Sequence, residues 1–209
     1  MAQFFIIHPH NPQKRLIQQA VKIIEQGGLI IYPTDSSYAL GCHIGNKSAM
    51  ERIQRIRQLD KNHHFTLVCS DLSEIATYAR LSNSDYRLMK MLTPGPYTFL
   101  LMATSVVPRR LMNPKRKTIG VRVPDNKIVH QLLQQLGQPI MSSTLIPSTR
   151  QGMMHDAQDI QEAFEQSVDL IIDGGFCGTE LTTVINLIGG NPTVIRPGKG
   201  SVDFLTDSV

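Results

Sequence analysis

Several residue types that would define a specialised protein class are scarce in this sequence of 209 residues. It contains no tryptophan, 6% aromatic residues and three widely spaced cysteines, Cys42, Cys69 and Cys177. No Cys-x-x-Cys pair occurs and no histidine stands at ligand spacing from a cysteine, so we expect reduced thiols and no zinc site. The few aromatic side chains disfavour single-strand nucleic-acid binding by base stacking.

Long apolar runs and targeting signals are also missing. No run approaches the roughly 18 apolar residues of a membrane span. The opening MAQFFIIHPHNP lacks the basic and apolar regions of a signal peptide. We therefore expect a cytoplasmic protein without membrane association. With no repeat or linker-like stretch, residues 1–209 are predicted to form a single domain.

Charge is segregated along the chain although the net charge is only +4. No acidic residue stands between Asp85 and Asp125, whereas residues 151–195 contain seven acids and neither lysine nor arginine. The basic stretch contains Arg87, Lys90, Arg109, Arg110, Lys115, Arg116, Lys117 and Arg122. This pattern indicates either a polyanion-binding face backed by an acidic one, or a solvated basic loop.

Predicted strands and helices alternate along the chain. Asn11-Pro12 is typical of a helix start and Gly27-Gly28 of its end, while the apolar run Leu29–Tyr32 predicts a buried strand. Towards the C-terminus the predicted strands come at hairpin-like spacing. An α/β protein with a sheet of mixed direction follows.

Motifs of several catalytic classes are absent. Gly198-Lys199 lacks the spacing of a phosphate-binding P-loop, and Gly174-Gly175 lacks that of a dinucleotide-binding turn. Neither Gly-x-Ser-x-Gly nor His-Glu-x-x-His occurs, which gives esterase and zinc-protease hypotheses no support.

The segment after the predicted strand Leu29–Tyr32 is unusually polar. Tyr32-Pro-Thr-Asp-Ser-Ser-Tyr-Ala-Leu-Gly41 carries five hydroxyl side chains and one carboxylate. Loops at strand ends are the usual ligand sites of open α/β sheets, so this segment predicts a binding loop. The alternative is a Ser/Thr-rich turn that only caps the sheet.

This segment resembles the signature of the YrdC/YciO-like proteins, which include threonylcarbamoyl-AMP synthase. Further elements similar to the family follow in order: Arg57 at a helix end, Thr93-Pro-Gly-Pro-Tyr-Thr98, Ile119-Gly-Val-Arg-Val-Pro124, Pro139-Ile-Met-Ser-Ser143, Thr182-Thr-Val184 and Val194-Ile-Arg-Pro-Gly198. The opening Gln3-Phe-Phe and the Lys115-Arg-Lys-Thr-Ile-Gly120 run resemble the YciO branch. The resemblance implies a YrdC/RibB-like fold, a single-domain twisted and largely open mixed sheet with flanking helices and a basic concave face.

The resemblance also implies ligands. Synthase members join L-threonine, bicarbonate and ATP, with Mg²⁺ assisting, and family members have been associated with double-stranded RNA and tRNA. By resemblance, L-threonine would be bound by Thr34, Arg122, Ser143 and Thr182, and the nucleotide by Arg57, Ser142, Thr144 and Arg196. RNA contacts are expected from Arg109, Arg110, Lys115, Arg116 and Lys117. No side chain is expected to act as a covalent nucleophile, and no residue to bind a metal.

Among the departures from the synthase pattern, two remove the contacting group altogether. Leu59 stands where synthases have Arg, and Ile146 where they have Asn. Losing both contacts would cost about 2–4 kcal/mol, or roughly 30- to 1000-fold in nucleotide affinity. Three hypotheses remain open: a weak synthase, a non-catalytic RNA-binding paralogue that needs no cofactor, and an enzyme for a different small substrate in the same cavity.

Overall fold

A ten-stranded mixed sheet forms the centre of the part of the chain described by the computed structural model, residues 1–58, 65–112, 117–145 and 154–203. Its strands are β1 (Gln3–Ile6), β2 (Ile30–Tyr32), β3 (Ala39–His43), β4 (Thr66–Val68), β5 (Tyr97–Met102), β6 (Thr118–Arg122), β7 (Ile140–Thr144), β8 (Leu170–Asp173), β9 (Thr183–Asn186) and β10 (Thr193–Arg196). In space the order is β1-β8-β2-β3-β7-β4-β6-β5-β9-β10. The expected mixed, largely open α/β sheet with flanking helices is confirmed.

Parallel and antiparallel pairs alternate irregularly across this sheet. The pairs β1–β8, β8–β2, β4–β6 and β5–β9 are parallel, and the other neighbours are antiparallel. Strand β3 was not predicted, because its residues were assigned to the polar loop. The loop proper spans residues 33–38, and the chain then turns back antiparallel to β2.

Six helices flank the sheet in the described residues. They are α1 (Lys14–Glu25), α2 (Lys47–Arg57), α3 (Leu72–Tyr78), α4 (Asn83–Leu92), α5 (Lys127–Leu136) and α6 (Ala157–Phe164), with a short 3₁₀ turn at Arg109–Leu111. The side chain of Asn46 caps α2 by accepting a hydrogen bond from the Ala49 N–H at 2.9 Å. The predicted helix start at Asn11 is wrong. His8 Nδ1 accepts the Asn11 N–H at 3.1 Å, which holds Asn11 in a turn before the helix.

The two faces of the sheet are covered unequally. One face packs against α2, α3, α4 and α6 in an apolar cluster that includes strand residues such as Leu67, Phe99 and Ile119. The opposite face packs against α1 and α5, through strand residues such as Ile30 and Ile140. Among the described residues, β5, β6 and β9 contribute nothing to this second cluster. No helix of the described ranges therefore covers this face of the sheet over β6, β5 and β9.

No helix in the described ranges is both long and apolar enough to cross a membrane.

Candidate functional site

A cavity of about 880 Å³ lies on the uncovered half of the sheet. Strand register sets its floor: Ser142 pairs with Thr66, Thr66 with Gly120, Gly120 with Leu100, and Leu100 with Asn186. These residues lie in one row across five strands, and all of them line the cavity. The floor thus combines hydroxyl and amide groups with a glycine and one apolar side chain.

Side chains along β6 point alternately into the cavity and into the apolar core on the other face of the sheet. Thr118, Gly120 and Arg122 face the cavity, whereas Ile119 and Val121 belong to the apolar cluster on the other face. Strand β5 follows the same rule, with Thr98 lining the cavity. We had not predicted Thr66, Thr98 or Thr118 as site residues. The signal that could have found Thr98 and Thr118 is a single threonine in each of the mainly apolar segments that form β5 and β6.

Three arginines reach the cavity from three different elements. Arg57 is the last residue of α2, Arg122 the last of β6 and Arg196 the last of β10, and each lines the cavity. Burial lowers the pKa of the Arg57 and Arg196 guanidinium groups from its ordinary value. Because a guanidinium remains charged at neutral pH, the half-buried Arg57 and the exposed Arg196 both present cations to the cavity, which favours an anionic ligand.

Hydrogen bonds hold Arg196 against Thr182. Arg196 Nη2 donates to the Thr182 carbonyl oxygen at 3.0 Å, and the Thr182 and Thr98 hydroxyls lie 3.0 Å apart. Thr182, predicted on the L-threonine side, therefore lies directly beside Arg196, predicted on the nucleotide side. The structure brings the two predicted subsites together.

The hydroxyls of β7 form the opposite wall. Ser142 Oγ lies 2.7 Å from the Tyr32 hydroxyl and donates to the Leu40 carbonyl oxygen at 3.0 Å. Burial raises the pKa of Tyr32 to about 12, so its hydroxyl keeps its proton as a donor to Ser142. Because its own proton goes to Leu40, Ser142 can offer a ligand only an acceptor. Ser143 and Thr144 line the same wall.

Thr34 is placed differently from the other predicted ligand residues. Its hydroxyl donates to the Ser37 carbonyl oxygen at 2.6 Å and accepts the N–H groups of Ser36 and Ser37, each at 3.2 Å. Ser37, not Thr34, is among the residues that line the cavity. Thr34 therefore shapes the binding loop, and its predicted contact with L-threonine stays a prediction.

An ion pair joins this loop to the cavity wall. Arg122 Nη2 donates to Asp35 Oδ1, and the other carboxylate oxygen of Asp35 accepts the Asp125 N–H at 2.9 Å. Lys199 Nζ donates to the Asp35 carbonyl oxygen. Neither Asp35 nor Lys199 was predicted as a site residue, although Asp35 is the carboxylate of the polar segment.

Of the residues predicted to contact RNA, the described Arg109, Arg110 and Lys117 lie outside the cavity lining. Arg109 and Arg110 are exposed on the 3₁₀ turn, and Arg110 donates to the Gly45 carbonyl oxygen. Lys117 is exposed directly before β6. Lys115 and Arg116, and the departures Leu59 and Ile146, lie outside the described residues. No cluster of three or more potential metal ligands occurs in the ranges described.

Comparison with known proteins adds evidence independent of this geometry. The Sua5_yciO_yrdC family model, described as "Telomere recombination", matches residues 22–198. The uncharacterized protein YciO of Escherichia coli strain K12 is 55% identical over 202 residues, covering 97% of this chain and 98% of that protein. Its crystal structure superposes with a TM-score of 0.93.

More distant matches carry an activity in their names. A threonylcarbamoyl-AMP synthase of Vibrio vulnificus strain YJ016 is 30% identical over 161 residues, 76% of this chain and 86% of the synthase. A P. abyssi Sua5 carrying H234A and Y235A is 25% identical, with a TM-score of 0.88 over 99% of this chain and 64% of that one.

Proposed function

The chain belongs to the Sua5/YciO/YrdC family, and on that premise we propose that its cavity binds a nucleotide and supports a slow threonylcarbamoyl-AMP synthase reaction. One observation carries the proposal: three arginines and a set of hydroxyls from separate elements converge on a single cavity of about 880 Å³. That volume is typical of small-molecule sites, and the arginines suit an anionic ligand.

The proposed reaction needs positioning rather than covalent catalysis. The amine of L-threonine and bicarbonate form a carbamate and release water. A carbamate oxygen then bonds to the α-phosphorus of ATP while the α–β phosphoanhydride bond breaks, giving threonylcarbamoyl-AMP and pyrophosphate. Both reactants are anions, so a protein accelerates the step by neutralising them and holding them in line.

The cavity residues divide between these tasks in our proposal. Arg57 and Arg196 neutralise phosphate oxygens, and Arg122 binds the carboxylate of L-threonine. Thr182 bonds to Arg196 and lies 3.0 Å from the Thr98 hydroxyl, so it positions the amino acid beside the nucleotide. The other predicted ligand residues of β7, Ser143 and Thr144, lie across the cavity on its opposite wall.

Mg²⁺ would assist the departure of pyrophosphate by neutralising its charge. Among the described residues, the cavity lining offers hydroxyl oxygens but no carboxylate. Since Mg²⁺ in nucleotide sites is commonly held by substrate phosphates, the ion would enter with ATP and would contact this chain mainly through Ser and Thr hydroxyls.

Pyrophosphate release from ATP, L-threonine and bicarbonate tests the proposal. We expect slow turnover by the natural chain and faster turnover by the double variant Leu59→Arg, Ile146→Asn, which restores the synthase residues at both positions. Arg196→Gln is expected to lower the rate about 10- to 100-fold, because a charge-assisted contact is lost. Arg87→Gln, which removes an exposed arginine of α4, is the matched control.

Two outcomes would contradict the proposal. A rate unaffected by Arg196→Gln would place the reaction outside this cavity. In the second outcome, pyrophosphate release requires another amine or acid instead of L-threonine in every variant. That result would favour an enzyme with a different small substrate.

Binding to double-stranded or structured RNA is a second proposed function. It is supported by the exposed cations Arg109, Arg110 and Lys117, of which Lys117 directly precedes β6. Phosphate contacts from such residues read the shape of a duplex rather than its sequence.

A duplex RNA titration at several salt concentrations tests this second function. We expect affinity to fall steeply with salt, and the slope of log K against log salt to fall by about one for each phosphate contact removed by Lys115→Ala and Lys117→Ala. Lys22→Ala, on the exposed side of α1, is the control. Salt-independent affinity would refute phosphate binding.

A further inference from the structure

The ion pair between Arg122 and Asp35 is enclosed in the protein. The two side chains are only 8% and 9% exposed, and Arg122 lines the cavity. Arg122 is also the residue to which the proposed function assigns the carboxylate of the ligand, and the inference below rests on that assignment. An arginine already paired inside the protein can bind a ligand carboxylate only by sharing or exchanging its partner.

The ion pair uses only one nitrogen of Arg122 and one oxygen of Asp35. Asp35 binds Arg122 through Oδ1 and Nη2, while its Oδ2 is held by the Asp125 N–H at 2.9 Å. Arg122 Nε is buried and has no hydrogen-bond partner in the described structure. Nε–H and Nη2–H lie along the same edge of the guanidinium, the edge to which a carboxylate can bind with both oxygens. Asp35 thus bonds to one nitrogen of Arg122 and leaves the Nε–H donor without a partner.

A carboxylate from outside the chain is not held by Asp125. It can accept from both Nε–H and Nη2–H, and it would relieve a buried donor whose lack of a partner is unfavourable. We propose that Asp35 is a specificity-determining residue, an internal counter-ion of Arg122 that the carboxylate of the ligand displaces.

The surroundings of Asp35 allow such an exchange without unfolding the loop. The Thr34 hydroxyl fixes the backbone of residues 34–37 through three hydrogen bonds, so only the Asp35 side chain has to turn. Lys199 Nζ already donates to the Asp35 carbonyl oxygen and supplies a nearby cation for the displaced carboxylate. A ligand without an anionic group gains nothing from breaking the pair, so the exchange selects against such ligands.

Calorimetric titration of the full chain with L-threonine, L-threoninol and acetate tests the exchange. We expect Asp35→Asn to bind L-threonine and acetate about 5- to 30-fold more tightly, because the competing charge is gone. L-threoninol has no carboxylate and is expected to bind both proteins equally. Asp125→Asn removes the same charge from an exposed neighbour that does not touch Arg122, and we expect it to change affinity less than twofold.

Several results would overturn the inference. These are weaker or unchanged acetate binding by Asp35→Asn, an equal gain for L-threoninol, or an equal gain in Asp125→Asn. If the natural chain does not bind L-threonine at all, the proposed function fails, while tighter acetate binding by Asp35→Asn would still support the exchange. Should Asp35→Asn not fold, Asp35→Ser removes the charge with a smaller side chain and carries the same expectation.

Discussion

At the scale of single residues, Gly120 marks where a ligand can approach the backbone of the sheet. It stands at the middle of the cavity floor, between Thr66 and Leu100 in the row of cross-strand neighbours. A Cβ atom built there would lie 3.0 Å from the Thr66 hydroxyl and 3.4 Å from the Phe65 carbonyl oxygen. A side chain at this position would crowd its neighbours and also fill space at the floor.

Gly120→Ala is expected to weaken ligand binding and to lower the free energy of unfolding by about 1 kcal/mol through overpacking. Adding Thr66→Ala removes the atom in the way, so the double variant should regain stability in urea unfolding but not ligand affinity. Recovery of both quantities together would show that Gly120 serves the fold alone.

Two adjacent residues show what the sequence could and could not predict about the site. The polar segment after β2 correctly indicated a loop beside the cavity, but it did not show which side chain points where. Thr34 turns inward to hold its own loop, whereas Asp35 reaches Arg122, which lies 87 positions later in the chain. Such a pairing depends on the order of strands in space, which local patterns do not encode.

At the scale of elements, residues 197–201 form hydrogen bonds to the first residues of both β5 and β9 and so connect the two strands. The Thr183 hydroxyl donates to the Gly200 carbonyl oxygen at 2.6 Å and accepts the Gly198 N–H at 3.0 Å. The Tyr97 hydroxyl donates to the Ser201 carbonyl oxygen at 3.0 Å. Residues 197–201 follow Arg196 directly, so their hydrogen bonds also restrict the backbone position of that arginine at the end of β10.

Thr183→Val is expected to lower the free energy of unfolding by about 2 kcal/mol, because it leaves the buried Gly200 carbonyl oxygen and the Gly198 N–H without their partner. Thr183→Ser keeps the hydroxyl and should stay near the natural stability. Urea unfolding of the three proteins measures the difference. Equal loss in both variants would assign the effect to the missing methyl group instead.

The elements themselves were largely predictable, because most have strong periodicity or clear caps. The buried strand predicted at Leu29–Tyr32 is β2, and Gly27-Gly28 follow the end of α1 as expected. Strand β3 was missed because Ala39 and Gly41 have low strand propensity. What makes it a strand is its position between β2 and β7, a tertiary influence that the local sequence does not show.

At the scale of the whole molecule, the buried thiols make the free energy of unfolding depend on pH in the alkaline range. Burial raises the pKa of Cys177 to about 11 and that of Cys42 to about 12, from 9.0. Above pH 9 the unfolded chain loses these protons while the folded chain keeps them, so the unfolded state binds fewer protons. The free energy of unfolding therefore falls as pH rises from 9 towards 11.

We expect each of these thiols to account for a loss of roughly 1 kcal/mol at pH 10 relative to pH 8. Urea unfolding at both pH values measures the loss, and Cys177→Ala should reduce it by about one thiol's share. An unchanged pH dependence in Cys177→Ala would mean that the Cys177 thiol titrates alike in both states.

The order of the strands in the sheet also affects how the chain can fold during its synthesis. Among the described strands β1 pairs with β8 alone, and β5 pairs with β9 on one side. Both early strands therefore need partners that are encoded more than 80 residues later. During synthesis the cavity lacks one wall until β9 and β10 have left the ribosome. Until then β5 presents an open edge, a surface prone to wrong pairing. A ligand that holds the finished cavity together can therefore act only on the completed chain.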